Sequence, residues 1–475
     1  MIQETNFYLS KYYSNKAIAA FFIAIAVCNL LFFHKMLPVQ WIVSATIEAV
    51  CFFYFTQSLS RQWIRYSEKR FAKKLFITTL ILRISWVFVA YFLYTWLNGE
   101  PFEFAAADSH FYQSISGEFA DFIKTGNWSG IVNYPKLDAS DTGYPVWLAI
   151  VHLFFGDSIL IPRLINAVLG AYTAVLLYKF TTRNFGEAAG RLTGIMCMLL
   201  PNFFFYVGIH LKETFMIFLV VSYAYNADNL LRSTKITWQN ITLTILGAVV
   251  LFFFRTVLGV IALFALFTAF VFSKGRNMKK WGKRIVIALW VFFCIGALLS
   301  GRIIQEIEIL YKYSGSNQAT GMQYRSVQEG GNSFARYGSM AVFAPMIVAI
   351  PFPTFTEANE EQQNQMMFSG GYFVKNIFSF FVIVAMIILI RRKEWREHLF
   401  LISFFVAYLL AIAKSNFAVS ERFHLPAMPF LLAMAAFGMT RIGKKEKKWF
   451  TPYVFFIVLV VIGWNWFKLA GRGLS

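Results

Sequence analysis

Asp108 opens a D-S-H-F-Y run within the polar stretch from Asn98 to Tyr144, NGEPFEFAAADSHFYQSISGEFADFIKTGNWSGIVNYPKLDASDTGY. A carboxylate in such a place can take the proton of an attacking hydroxyl. Asp108 and Tyr112, at i and i+4, share one face of any helix that forms there. An Asp ahead of a polar turn also suits a helix N-cap, so both readings stand at this stage. His210, Lys212 and Glu213 crowd three ionisable groups into H-L-K-E where two apolar blocks meet. That crowding fits a functional site, and it fits a Lys and a Glu reaching for a membrane interface. Arg255 and Arg422, the latter within NFAVSERFHLPAMPF, also fall at block ends. A guanidinium grips a phosphate with two parallel charge-assisted bonds and keeps its proton, whereas its ordinary role here is headgroup anchoring. Arg83 and Arg163 are weaker cases of the same kind. No His, Cys or carboxylate spacing has a zinc pattern, and GEAAGR lacks the Lys and the Ser or Thr of a nucleotide-phosphate loop.

The elements that position these residues follow from composition. The 475 residues are 58% hydrophobic, 19% aromatic and 14% charged, with mean hydropathy +0.56. Soluble domains hold roughly 45–50% apolar and about 25% charged residues. The chain is therefore expected to be an all-α polytopic membrane protein. The net charge of +20 does not imply a nucleic-acid partner, because Lys and Arg sit in short clusters between apolar blocks, as cytoplasmic loops do. Cys28, Cys51, Cys197 and Cys294 lie inside apolar blocks, which speaks for packed or lipid-facing thiols. The first apolar block has no cleavage site after it and is expected to be a retained span.

A span needs about 20 apolar residues. Blocks near 17–33, 38–57, 75–97, 158–180, 189–208, 213–231, 238–254, 256–272, 285–300, 372–390, 398–414, 425–440 and 449–467 predict about thirteen transmembrane helices. Arg255 marks a turn between two of them, since a lone Arg at mid-bilayer costs at least about 2.5–3.5 kcal/mol. YPVWLAIVHLFF (144–155) and MAVFAPMIVAIPFP (340–353) are too short to cross and are expected to lie flat or re-enter on the outer face. With both left non-spanning, the basic loops 58–74, 273–284, 391–397 and 441–448 all fall on the cytoplasmic side. The loops 98–143 and 301–371 then fall outside. From Asn98 to Gly143 there are seven acidic and two basic residues, a reversal of sign that agrees with an outer loop. The chain reads as one integral membrane domain, 1–475. Within it, 98–157 is an outer loop with a juxtamembrane helix, and 301–371 is a second outer loop whose Gly-rich part (315–338) suits a lid. No repeat and no soluble domain after the last span is expected.

In order, these features resemble the GT-C membrane glycosyltransferases, in particular the bacterial branch related to protein O-mannosyltransferases and aminoarabinose transferases. The resemblance rests on Asp108 with Tyr112 in the first outer loop, followed by GYPVWLAIVHLFFGDSILIPRLINAVLGAYTAVLLYKFTTRNFGEAAGRLTG. LLPNFFFYVGIHLKE and a late ERFHLPAMPFLLAMAAFG complete it. It covers 75–230 well and 415–440 loosely; the order of the motifs is fairly specific, and each alone is weak. It implies juxtamembrane helices on the outer face, a polyprenyl-phosphate sugar as donor and Asp108 as the catalytic carboxylate. The chain departs from the family in its two extra leading spans and in the absence of an appended soluble domain. It also has a lone Asp where some members have an acidic pair, which leaves a divalent cation open; no other cofactor is implied.

The expectation is a glycosyltransferase of a bacterial inner membrane, working on the periplasmic side. It would move a hexosyl or pentosyl group from the lipid donor to a glycan, lipid or protein acceptor. Asp108 and Glu213 would be catalytic. Tyr112, Tyr144, His210, Lys212, Arg255 and Arg422 would bind substrate, and no metal ligands are assigned. No nucleotide sugar is at hand outside the cytoplasm, so a membrane-tethered donor is required. Two other readings compete. An O-antigen-type polymerase or ligase relies on arginines rather than an essential Asp. A lipid-linked glycan flippase or transporter predicts repeats and charges deep in the spans.

Overall fold

A computed structural model describes residues 7–104, 106–135, 137, 141–232, 237–272, 346–356, 367–414 and 420–470. The expected span 285–300, the proposed lid, Cys294 and the first part of the 340–353 piece lie outside the described residues. Helices dominate, and the only extended pairing among the described residues is an isolated bridge between Met36 and Thr356. Among the described residues eight helices are long and apolar enough to cross a membrane, or nine if one bent pair counts as a span. The chain is thus an all-α, multi-pass membrane protein, as its composition predicts.

Three long helices come first: α1 (Lys11–Leu31), α2 (Val39–Trp63) and α3 (Glu68–Asn98). Gly99 ends α3 at φ 78°, a left-handed cap that turns the chain out of the apolar layer into the polar stretch. That stretch folds into α4 (Ala107–Thr125), the short α5 (Trp128–Val132) and α6 (Gly143–Phe155), with α6 packed on α4. At 13 residues α6 is about 20 Å long, too short for a hydrocarbon core of about 30 Å. Its Ile150, Phe154 and Phe155 are exposed, as a helix lying along the apolar layer requires.

The chain then makes α7 (Leu160–Phe185), α8 (Glu187–Leu199), α9 (Pro201–Val207), α10 (Glu213–Arg232), α11 (Trp238–Phe254) and α12 (Thr256–Phe272). The block expected as one span over 189–208 is a helix pair, α8 and α9, bent by 49°. Pro201 has no N–H for the carbonyl four residues back, Cys197, so the ladder breaks there. Arg83 of α3 repairs the break by donating to the carbonyl oxygens of Cys197 (3.2 Å) and Phe203. Its place in mid-span is therefore structural. Arg255 separates α11 from α12 in extended backbone, as its position between two apolar blocks predicts.

The described chain resumes with an irregular segment, 346–356, followed by α13 (Ser369–Arg391), α14 (Leu399–Lys414), the one-turn helix α15 (Glu421–His424), α16 (Met428–Arg441) and α17 (Phe450–Ala470). The piece 340–353 is expected to lie flat or re-enter; its described part, within 346–356, carries no helix and is mostly buried, which is not a helix lying flat on the surface. Buried, non-helical backbone needs partners for its carbonyls. Asn376 supplies them at Ala349 (2.6 Å) and Pro351 (2.9 Å), Lys375 at Ile350, and Asn465 at Pro353 (3.1 Å).

The helix ends sort onto two faces. On one, Arg232 reaches Asp228 (2.9 Å), Asn184 (2.6 Å) and the carbonyl of Glu397 (3.1 Å), while Arg183 meets Asp228 at 3.0 Å and Arg191 meets the Trp63 carbonyl at 3.0 Å. These contacts gather the ends of α2, α7, α8, α10 and α14. The opposite face carries α4, α6, the head of α10, the α11–α12 junction and α15. Between the faces, α16 packs against α13 and α8, and the span from Glu421 to Arg441 is the most enclosed among the described residues.

Candidate active site

Asp108 is the second residue of α4, in the first turn, and no side chain caps that helix. The capping alternative for Asp108 is therefore not the one realised. Its Oδ2 instead meets Arg422 Nη1, and the same guanidinium donates from Nε to Glu213 Oε1. Three pieces of chain are joined by this one arginine: α4, the head of α10 and the one-turn helix α15. The two carboxylates are unlike. Glu213 is fully buried, whereas the Asp108 side chain is 56% exposed and stands at the open side of the cluster. A guanidinium bridging two carboxylates leaves a net negative charge on the triad, with Asp108 as its accessible member.

Tyr112, one turn beyond Asp108, is buried and meets Tyr144 of α6 edge-on at 5.2 Å. From Tyr144 the aromatic contact continues to Trp147 (5.4 Å), Phe215 (4.9 Å) and Phe254 (5.1 Å), a wall from α4 to the end of α11. Burial raises the Tyr112 and Tyr144 hydroxyls above their ordinary range, so both remain proton donors.

His210 lies behind this wall, fully buried against Tyr144 (6.3 Å) and Phe102 (6.0 Å). Burial, with the charges of Arg163 and His152, pulls its imidazole down to about 3, so it is neutral at physiological pH. Lys212 pairs with Asp141 and donates to the Phe254 carbonyl at 3.1 Å; burial lowers its ammonium, against the pull of Asp141. Arg255 lies beside it, with Nη1 3.2 Å from the Tyr408 hydroxyl and its guanidinium 4.4 Å from the centre of the Phe423 ring. No carboxylate lies within ion-pairing distance of Arg255 among the described residues. It is the cation of the cluster whose charge is not already matched.

All eight residues singled out in the sequence, Asp108, Tyr112, Tyr144, His210, Lys212, Glu213, Arg255 and Arg422, thus fall in one neighbourhood. Arg163 is different: it is buried and donates to the Pro101 carbonyl at 2.6 Å, tying α7 to the start of the polar stretch. Several partners were not anticipated. Asp141 was counted only as part of an acidic loop. Glu103 is buried and accepts from Ser109, whose hydroxyl also lies 3.2 Å from the His210 carbonyl. Burial raises the Glu103 carboxyl, opposed by the Ser109 hydroxyl and by Arg163 and Arg422. Lys375 and Glu421 carried a usable signal, because an ionisable residue inside or at the head of an apolar block asks for a partner. Among the described residues no three His, Cys, Asp or Glu side chains group closely enough to hold a metal ion; Asp108 and Glu213 share Arg422.

The fold and this cluster define a polytopic all-α membrane protein with a charged, aromatic-walled site at one face. No family model, curated protein or solved structure matches the chain.

Proposed function

We propose that the protein is a membrane glycosyltransferase of GT-C type, moving a sugar from a polyprenyl-phosphate donor to an acceptor hydroxyl. The observation that carries this reading is the convergence of Asp108, Glu213 and Arg422 at one level, with the unmatched cation Arg255 and an aromatic wall beside them. In the proposed reaction the acceptor oxygen bonds to the anomeric carbon as the bond from that carbon to the phosphate oxygen breaks. Asp108 takes the acceptor's proton, and polyprenyl phosphate leaves with the bonding electron pair. Its charge is held by Arg255, with Lys212 and Arg422 near. Glu213, buried on Arg422, fixes that guanidinium. Tyr112 and Tyr144 form the wall on the sugar's side of the site, with His210 supporting them from behind, and an isoprenoid tail remains in the apolar layer while its phosphate sits at the surface.

With about thirteen spans, the number expected from the sequence, the basic loops 58–74, 273–284, 391–397 and 441–448 would lie inside and Asp108 outside. In a bacterium this corresponds to the inner membrane with the site on the periplasmic face. The acceptor class, whether glycan, lipid or protein, stays open, as does any use of a divalent cation.

The test is donor binding by the purified protein in lipid nanodiscs. A polyprenyl phosphate should raise the melting temperature, whereas the polyprenol lacking phosphate should not, and the shift should shrink in Arg255→Gln. Equal shifts for the two lipids would remove the phosphate from the reading.

A further inference from the structure

We propose that Asn202, Lys375, Glu421 and His424 are positioning residues that hold Arg422 onto Asp108 and Glu213. The proposal deepens the transferase reading and rests on it for its catalytic consequence; the placement of Arg422 is tested without it.

Arg422 sits in α15, a helix of only four residues. One turn fixes several dihedrals for about one hydrogen bond and is unfavourable by itself, so tertiary contacts must decide its orientation. Each of its four residues has a separate contact with another element. Glu421 accepts from Asn202 Nδ2 at 2.7 Å, next to the proline break that starts α9. Arg422 bridges Asp108 and Glu213. The Phe423 carbonyl accepts from the Tyr408 hydroxyl at 2.9 Å, and its ring lies under Arg255. His424 Nδ1 is 2.8 Å from Lys375 Nζ, and that ammonium also donates to the Ile350 carbonyl.

Glu421 and His424, at i and i+3, share one face of the turn. All four proposed residues are buried: Asn202 and His424 fully, Lys375 1% and Glu421 4% exposed. Buried ionisable groups at the head of a span are costly unless paired, so these pairs hold α15 in place rather than decorate it. Helix α13 is fitted to the same task. Gly371 and Lys375 lie on one face of it, and a Cβ at Gly371 would collide with the Asn202 side-chain amide. Glu48 of α2 accepts from the backbone amides of Gly370 (3.0 Å) and Gly371 (3.3 Å), fixing the start of α13. The turn is thus held from its embedded face, leaving the Arg422 guanidinium to reach the carboxylates.

The experiment reads Arg422 through Asp108. Full-length protein in nanodiscs is treated with a water-soluble carbodiimide, and modification of Asp108 is followed by peptide mass. Asp121, exposed on the same helix α4, is the internal control. Arg422→Gln sets the unmasked level. Asn202→Ala and Lys375→Met should raise the Asp108-to-Asp121 ratio severalfold toward that level. Asn202→Asp, which sets two carboxylates against each other, should raise it too. Combining it with Glu421→Gln restores a donor and an acceptor in reversed order and should return the ratio to within about twofold of wild type, the charge-assisted bond being kept. A ratio unchanged in the folded single variants would overturn the proposal. If those variants do not fold, a reversed pair that folds and labels like Arg422→Gln would overturn it equally. Neither outcome depends on sugar transfer, so failure of the transferase reading stays distinguishable.

Discussion

Arg422 and Asp108, 314 positions apart in sequence, are joined in one ion pair, and the same guanidinium holds the buried Glu213. One cation therefore serves one exposed and one enclosed carboxylate, and the two contacts differ in energetic weight. Exposed ion pairs are worth about 0–1 kcal/mol, whereas removing the partner of a buried charge costs about 3–5 kcal/mol.

The first prediction follows from that asymmetry. Arg422→Ala should lower the melting temperature markedly, and adding Glu213→Gln should recover much of the loss because the stranded charge is gone. Arg422→Lys should be intermediate, since one ammonium cannot reproduce the two-atom fork. Melting curves of Arg422→Ala, Arg422→Lys, Glu213→Gln and the Arg422→Ala/Glu213→Gln double variant check this; simple additivity would mean that Glu213 and Arg422 are not coupled.

Arg255 should behave differently. Its contacts are a hydroxyl and a ring face, so Arg255→Gln strands no carboxylate and should leave stability nearly intact. Affinity for polyprenyl phosphate should fall about tenfold or more, the value of a charge-assisted bond of ~1.5–3 kcal/mol. Calorimetric titration with the lipid phosphate measures it.

Acid sensitivity offers a third check. His210 is held down to about 3 in the folded protein, against about 6.5 when unfolded. Between those values the unfolded chain binds more protons, so stability is retained above pH 6.5 and lost as pH falls toward 3. The slope from this group is at most one proton, ~1.4 kcal/mol per pH unit. His210→Gln should therefore flatten the decline of melting temperature below pH 6.5.

The fourth prediction concerns topology. Reporters fused after Asn127 and after Gln328 should read outside, and one after Lys280 inside. Reporters at 127 and 280 on the same side would contradict the non-spanning assignment of α6.

Much of this architecture was legible because a membrane forces a strong signal. Apolar blocks marked the helices, and Arg255 marked the turn between α11 and α12 through the cost of a charge in hydrocarbon. The break at Pro201 was visible as a residue but not as a 49° bend, since nothing local says that Arg83 will supply the lost donors. The candidate residues were legible by type and by their level at the block ends. Which of them meet was not, because the Arg422 contacts close over 209 and 314 positions and depend on how α4, α10 and α15 pack. Lys375 and Glu421 were passed over for a related reason: one lies inside an apolar block and the other at the head of one, and the partner of each is on another element.

The most direct test of the account is turnover by Asp108→Asn. Purified wild-type protein and the variant, matched for melting temperature, are given polyprenyl-phosphate sugars of several kinds, and release of polyprenyl phosphate with transfer to acceptor is followed by mass spectrometry. Asparagine keeps the size of the side chain and an oxygen for Arg422 but cannot serve as a base. The account predicts transfer by the wild type and a loss of about 10² or more in the variant, with donor binding retained. Equal turnover by the two proteins would contradict it.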